Sequence, residues 1–94
     1  MSTLPPAEIT ERLAGGPWRL DDGVIVRDVQ VADFTAAMAV ANAVAQAAEV
    51  AGHHPDILVH GWNRVRLTLS THSAGGVTDA DLALAATIDA LLAG

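Results

Sequence analysis

Apolar and polar positions along this 94-residue chain change their spacing several times, and each change marks an element. From Pro5 to Ala14, prolines suited to a first helical turn precede Ile9 and Leu13 at i, i+4 spacing. This predicts a short helix, stopped by Gly15-Gly16-Pro17. Trp18-Arg19-Leu20, a turn at Asp21-Asp22-Gly23 and the run Val24 to Val31 predict a β-hairpin. Val29 and Val31 alternate there with Asp28 and Gln30, as in a half-buried strand. Asp33 is a good N-cap for a long helix with Phe34, Met38, Ala41, Ala45 and Ala48 as its apolar stripe and Gly52 as its C-terminal cap. Ile57 to Trp62 and Val65 to Thr71 predict a second hairpin around Asn63-Arg64, with Val65, Leu67 and Leu69 facing one way and Arg66, Thr68 and Ser70 the other. After the loop Ala74-Gly75-Gly76, Thr78 and Asp81 have capping-box spacing, and Leu84, Ile88 and Leu91 form the stripe of a last helix. The expected fold is α+β: a four-stranded antiparallel sheet with three helices on one face, in the order α-β-β-α-β-β-α.

Composition narrows the class. The length fits a single domain over 1–94, and 51% apolar with 17% charged residues excludes a disordered tail. A net charge of −6 argues against a nucleic-acid surface, which needs a basic face. The apolar stretch from Phe34 to Ala51 is interrupted by Asn42, Gln46 and Glu49, so no membrane span is expected, and the N-terminal residues do not resemble a signal peptide. Without cysteine, disulfides and thiolate metal sites are excluded. A cytoplasmic domain is the default expectation.

The candidate chemistry is concentrated. Four histidines all lie between positions 53 and 72: His53 and His54 follow the long helix, His60 belongs to the third strand and His72 closes the fourth. Imidazole titrates near neutral pH and suits proton transfer. Glu49 lies one turn before His53 and can reach the same pocket. Three readings compete for this cluster. One is acid–base catalysis, and another is a set of ordinary loop and edge histidines. The third is a metal site, for which His53-His54 is awkward and neither HExxH nor Cys/His finger spacing is present.

Glu49, three residues, His53-His54-Pro55, six residues, Trp62, nine residues, His72, eight residues and Asp81 together resemble the signature of the pterin-4a-carbinolamine dehydratases. Leu67 to His72, Gly75 to Thr78, the Trp18 region and Arg27 to Phe34 also resemble family segments, so the likeness spans nearly the whole chain. The departures are Pro17-Trp18 where members usually have Gly-Trp, and Trp62 where tyrosine is frequent. The segment to Trp62 also uses the longer permitted gap, with Gly61 as a potential bulge.

The resemblance implies a lyase that converts 4a-hydroxytetrahydropterin, left by an aromatic amino acid hydroxylase, to quinonoid dihydropterin and water. It implies that pterin is the substrate, with no cofactor and no metal. By analogy His53 and His72 transfer protons, and His54 chiefly holds the pterin. Glu49 orients a histidine or accepts a hydrogen bond from the ring, backbone groups of Ser70 and Thr71 pair with the polar pterin edge, and Pro55 constrains the histidine pair. For Asp81 the helix-cap role is favoured; His60 matches no signature position, and Trp18 and Trp62 are assigned to core or interface packing. Family members form homodimers and homotetramers, and some serve in animals as dimerisation partners of a transcription factor. A binding module with idle histidines is therefore the competing function.

Overall fold

The first hairpin follows from two adjacent residues. A computed structural model describes residues 2–93, and in it Asp22 (φ 48°) and Gly23 (φ 82°) both take left-handed conformations. Two such residues make the turn whose twist suits a tight hairpin. It joins β1 (Arg19–Asp21) to β2 (Val24–Gln30), with Asp21 opposite Val24.

The second hairpin differs from its expected register. β3 (Asp56–His60) and β4 (Arg64–Leu69) pair with His60 opposite Arg64, so the loop is Gly61-Trp62-Asn63 and Arg64 is a strand residue. Gly61 (φ 56°) and Trp62 (φ 59°) supply the left-handed backbone. Asn63 is drawn away to β2's end: its carbonyl accepts from Val31 N–H at 2.9 Å and its amide donates to Val31 O at 3.2 Å. Gly61 is thus a turn residue and no bulge. Trp62 stands 62% exposed at the tip, whereas Trp18 is buried in the core, where it donates to Asp89 at 2.7 Å.

The strand order is β1-β2-β4-β3, fully antiparallel. Ile25, Val65, Leu67 and Leu69 turn one face of the sheet toward the three helices, and all four are completely buried. The alternation expected for β4 is therefore present. On the open face Arg66 and Arg19 both donate to Asp28, at 2.8 and 3.0 Å. The Arg66 bond, above all, holds the Asp28 carboxyl below its usual range.

α1 spans Pro6–Leu13, α2 Phe34–Ala51 and α3 Asp79–Ala93, and a 3-10 turn, His72–Ala74, follows β4. Asp33 caps α2 by accepting from Ala36 N–H at 2.8 Å. The buried stripe of α2 is Ala37, Val44 and Ala48, with Val40 and Ala47 partly covered. Phe34 and Met38, expected inside, are 55% and 39% exposed. A helix of alanine and valine on most sides offers two apolar stripes, and the smaller side chains allow closer approach to the sheet. α2 has the length and mean hydropathy, 1.2, of a membrane-crossing helix; here it lies against the sheet and α3. In α3, Leu84, Ala85 and Ile88 are buried, and Leu92 rather than Leu91 continues the stripe; Leu91 is 47% exposed.

α2 ends at Gly52, whose φ is 63°. Its N–H bonds Ala48 O and Glu49 O, and the His53 N–H donates to Ala48 O at 3.1 Å. This double closure aims the chain at His53. Gly52→Ala puts a side chain into a left-handed backbone and is expected to cost about 1–2 kcal/mol, measurable by thermal melting, although open space surrounds the position.

Candidate active site

Two chain ends meet beside the sheet. One is the exit of α2, which carries His53 and His54 on its terminal cap. The other is the end of β4, where Ser70 and Thr71 lead into the 3-10 turn opened by His72. His72 therefore lies past the strand rather than at its last residue, because β4 stops at Leu69. The turn is folded back tightly. Thr71 N–H donates to Gly76 O at 2.8 Å, and Thr71 O accepts from Ala74 and Gly75 N–H, both at 3.0 Å. Between the two ends lies an open cleft of about 310 Å³ lined by Gly52, His53, His54, Ser70, Thr71, His72 and Ser73.

The adjacent imidazoles take different partners. His53, with 17% of its side chain exposed, turns inward and its Nε2 contacts Oδ1 of Asp81, which is completely buried. His54 turns outward and its Nε2 meets Glu49 Oε1 at 2.8 Å, with both side chains mostly exposed. Glu49 thus reaches the site only through His54. Pro55, half-buried, follows the pair into β3 and does not line the cleft. Ser70 lines it. Thr71 also lines it, yet its backbone N–H and carbonyl are already engaged within the turn, which leaves its contribution to the hydroxyl. That hydroxyl donates to Asp81 Oδ2 at 2.8 Å.

Asp81 carries more than its spacing suggested. The expected cap is there: Asp81 Oδ2 accepts from Thr78 N–H at 2.9 Å, three residues back. The same carboxylate also holds His53 and the Thr71 hydroxyl. Cap and site partner are one residue. The only signal of the second role in the sequence was the place of Asp81 in the family signature; the hydroxyl of Thr71 had none. His60 belongs elsewhere. It lines a cleft of about 360 Å³ on the open face of the sheet, with Asp28, Gln30, Arg64 and Arg66. That cleft is larger than the one at the helix end, yet it contains none of the signature residues, and the site follows the chemistry rather than the volume.

The family model described as pterin 4 alpha carbinolamine dehydratase matches residues 2–91. A protein of Acidobacterium capsulatum named "Putative pterin-4-alpha-carbinolamine dehydratase" is 55% identical over 98% of this chain and 100% of its own length. One of the same name from Chloroflexus aurantiacus is 53% identical over 98% and 99%. Among solved structures, a transcriptional coactivator/pterin dehydratase from Brucella melitensis superposes with TM-score 0.86 at 34% identity, covering 95% of this chain and 97% of that one. A pterin dehydratase-like protein identified as a RuBisCO assembly factor in the alpha-carboxysome superposes at 0.66 and 26%, covering 82% and 90%. With a family match over nearly its full length and relatives above half identity, this chain belongs to the pterin-4-alpha-carbinolamine dehydratase family.

Proposed function

We propose that this chain is a hydro-lyase that removes water from 4a-hydroxytetrahydropterin to give quinonoid dihydropterin. The observation that carries the reading is the meeting of His53, His54 and His72 at one cleft, with His53 backed by a buried carboxylate. Substrate and product differ by one water, so no electrons change hands. The 4a-hydroxyl leaves as water once protonated, the neighbouring ring nitrogen supplies the electron pair, and that nitrogen then loses its proton. Two imidazoles, one giving and one taking a proton, are sufficient for this. His53 and His72 take those parts. His54, steadied by Glu49, holds the pterin, and Ser70 offers backbone groups to its polar edge. Pro55 restricts the backbone after the pair.

The test is dehydration of carbinolamine generated in situ, followed at neutral pH against the unaided rate. Clear acceleration, unchanged by a chelator, is expected; a rate equal to the unaided one overturns the reading. The physiological setting in this proposal is tetrahydropterin recycling in the cytoplasm beside an aromatic amino acid hydroxylase, which generates the substrate.

The outward stripe of α2, with Phe34 and Met38, and the unpaired edges of β1 and β3 support self-association. A homodimer or homotetramer is expected by light scattering at micromolar concentration, and a monomeric mass would count against it. The same apolar stripe favours a second reading, in which the domain serves as a binding module for another protein. Two solved relatives, a transcriptional coactivator/pterin dehydratase and a RuBisCO assembly factor, pair this fold with such roles. A folded chain without dehydratase activity would move the assignment there.

A further inference from the structure

We propose that Thr71 is a positioning residue that, through Asp81, fixes which ring nitrogen of His53 carries the proton, making Nδ1 the atom that exchanges a proton in the cleft. The use of that proton rests on the dehydratase reading; the tautomer does not. Thr71 Oγ1 lies 2.8 Å from Asp81 Oδ2 and 2.8 Å from Thr78 Oγ1. A carboxylate only accepts, so the single hydroxyl hydrogen of Thr71 goes to Asp81. Thr78 must then donate to Thr71, and its lone pair accepts from Ala80 N–H at 3.2 Å. With Thr78 N–H also on Oδ2 at 2.9 Å, the carboxylate is held by two donors on one oxygen, and Oδ1 is left for His53. The hydrogen in that last contact belongs to Nε2, and the lone pair of the neutral ring is on Nδ1.

Burial makes the arrangement strict. Asp81 and Thr78 are fully buried and Thr71 is 9% exposed. Among the described residues no buried side-chain nitrogen or oxygen lacks a partner. Water therefore has little access to replace a missing link. The Thr71 backbone, bonded to Gly76, Ala74 and Gly75, keeps its hydroxyl from swinging away. Without that hydroxyl Oδ2 keeps only the Thr78 N–H, and the less firmly held carboxylate can rotate and loosen its hold on the Nε2–H.

Thr71→Val keeps the shape and removes the hydroxyl, and Thr71→Ser restores it. Nitrogen-15 NMR of the His53 ring in the ligand-free protein should show protonated Nε2 and bare Nδ1 in the parent. Thr71→Val should show a mixture of tautomers. Its kcat should fall about 10-fold with KM unchanged, and Thr71→Ser should recover both signatures. A Thr71→Val protein with the parent tautomer and the parent kcat overturns the proposal, as does a folded Thr71→Ser protein that recovers neither. If circular dichroism finds Thr71→Val unfolded, Thr71→Ala removes the same hydroxyl with less bulk and is judged by the same spectra. Should the parent chain show no dehydratase activity, the spectra decide alone. A pure Nε2–H tautomer that becomes mixed in the variant upholds the relay while the dehydratase reading fails, and an unchanged spectrum overturns the relay.

Discussion

Replacing both His53 and His72 by alanine is expected to bring turnover close to the unaided rate of carbinolamine dehydration. A positioned acid or base contributes typically about 10²–10⁴-fold. Each single change should therefore lower kcat by roughly 10-fold or more, about 1.4 kcal/mol of barrier per tenfold. KM should stay near the parent value, because a proton in flight belongs to the transition state rather than to the bound substrate. His54→Ala should show the opposite split, a raised KM with kcat largely kept, since an exposed imidazole that holds the ring does so equally in both states. The two classes are distinguishable by steady-state kinetics from pH 6 to 9, with the carbinolamine generated in situ. A His72→Ala protein as fast as the parent would remove His72 from the chemistry and leave the cleft to work through another group.

Asp81→Ala is expected to be the most damaging single change to the fold. It strands three donors in a buried place: the Thr78 N–H, the Thr71 hydroxyl and the His53 Nε2–H. Breaking a buried, hydrogen-bonded charged contact by removing one partner costs about 3–5 kcal/mol, out of a total stability of about 5–15 kcal/mol. At about 4–8 °C per kcal/mol for a domain of this size, the melting temperature should drop by well over 10 °C. Asp81→Asn is gentler. It keeps the shape and one acceptor oxygen, but its amide confronts at least one of the three donors, so both melting temperature and kcat should fall. Paired melting curves and kinetics on the two variants check this. An Asp81→Asn protein with parent stability and reduced turnover would assign Asp81 to the site alone; parent turnover with reduced stability would make it only a cap.

Much of the fold is written in short-range pattern. Asp22-Gly23 makes its turn because of what those two residues permit, and Val65, Leu67 and Leu69 alternate because one face of a strand is buried. Asp33 and Gly52 bound α2 by chemistry that needs only neighbouring residues. The clustering of histidines, with the spacing through Pro55, Trp62 and Asp81, carries the family resemblance without any tertiary contact.

Where local pattern is degenerate, only packing decides. α2 is apolar on most sides, so its covered face was settled by the close fit of Ala37, Val44 and Ala48, leaving Phe34 and Met38 outside. The second hairpin turns at Gly61-Trp62-Asn63 because Asn63 bonds Val31, a partner 32 residues earlier that periodicity does not reveal. The inward turn of His53 and the outward turn of His54 come from Asp81 and Glu49, 28 and 5 residues away. Sequence placed His53 and His54 just after α2 and His72 at the close of the fourth strand. Only the tertiary structure joined the cap of α3 to the ring of His53, because a side chain's direction depends on which buried donors and acceptors must be satisfied together.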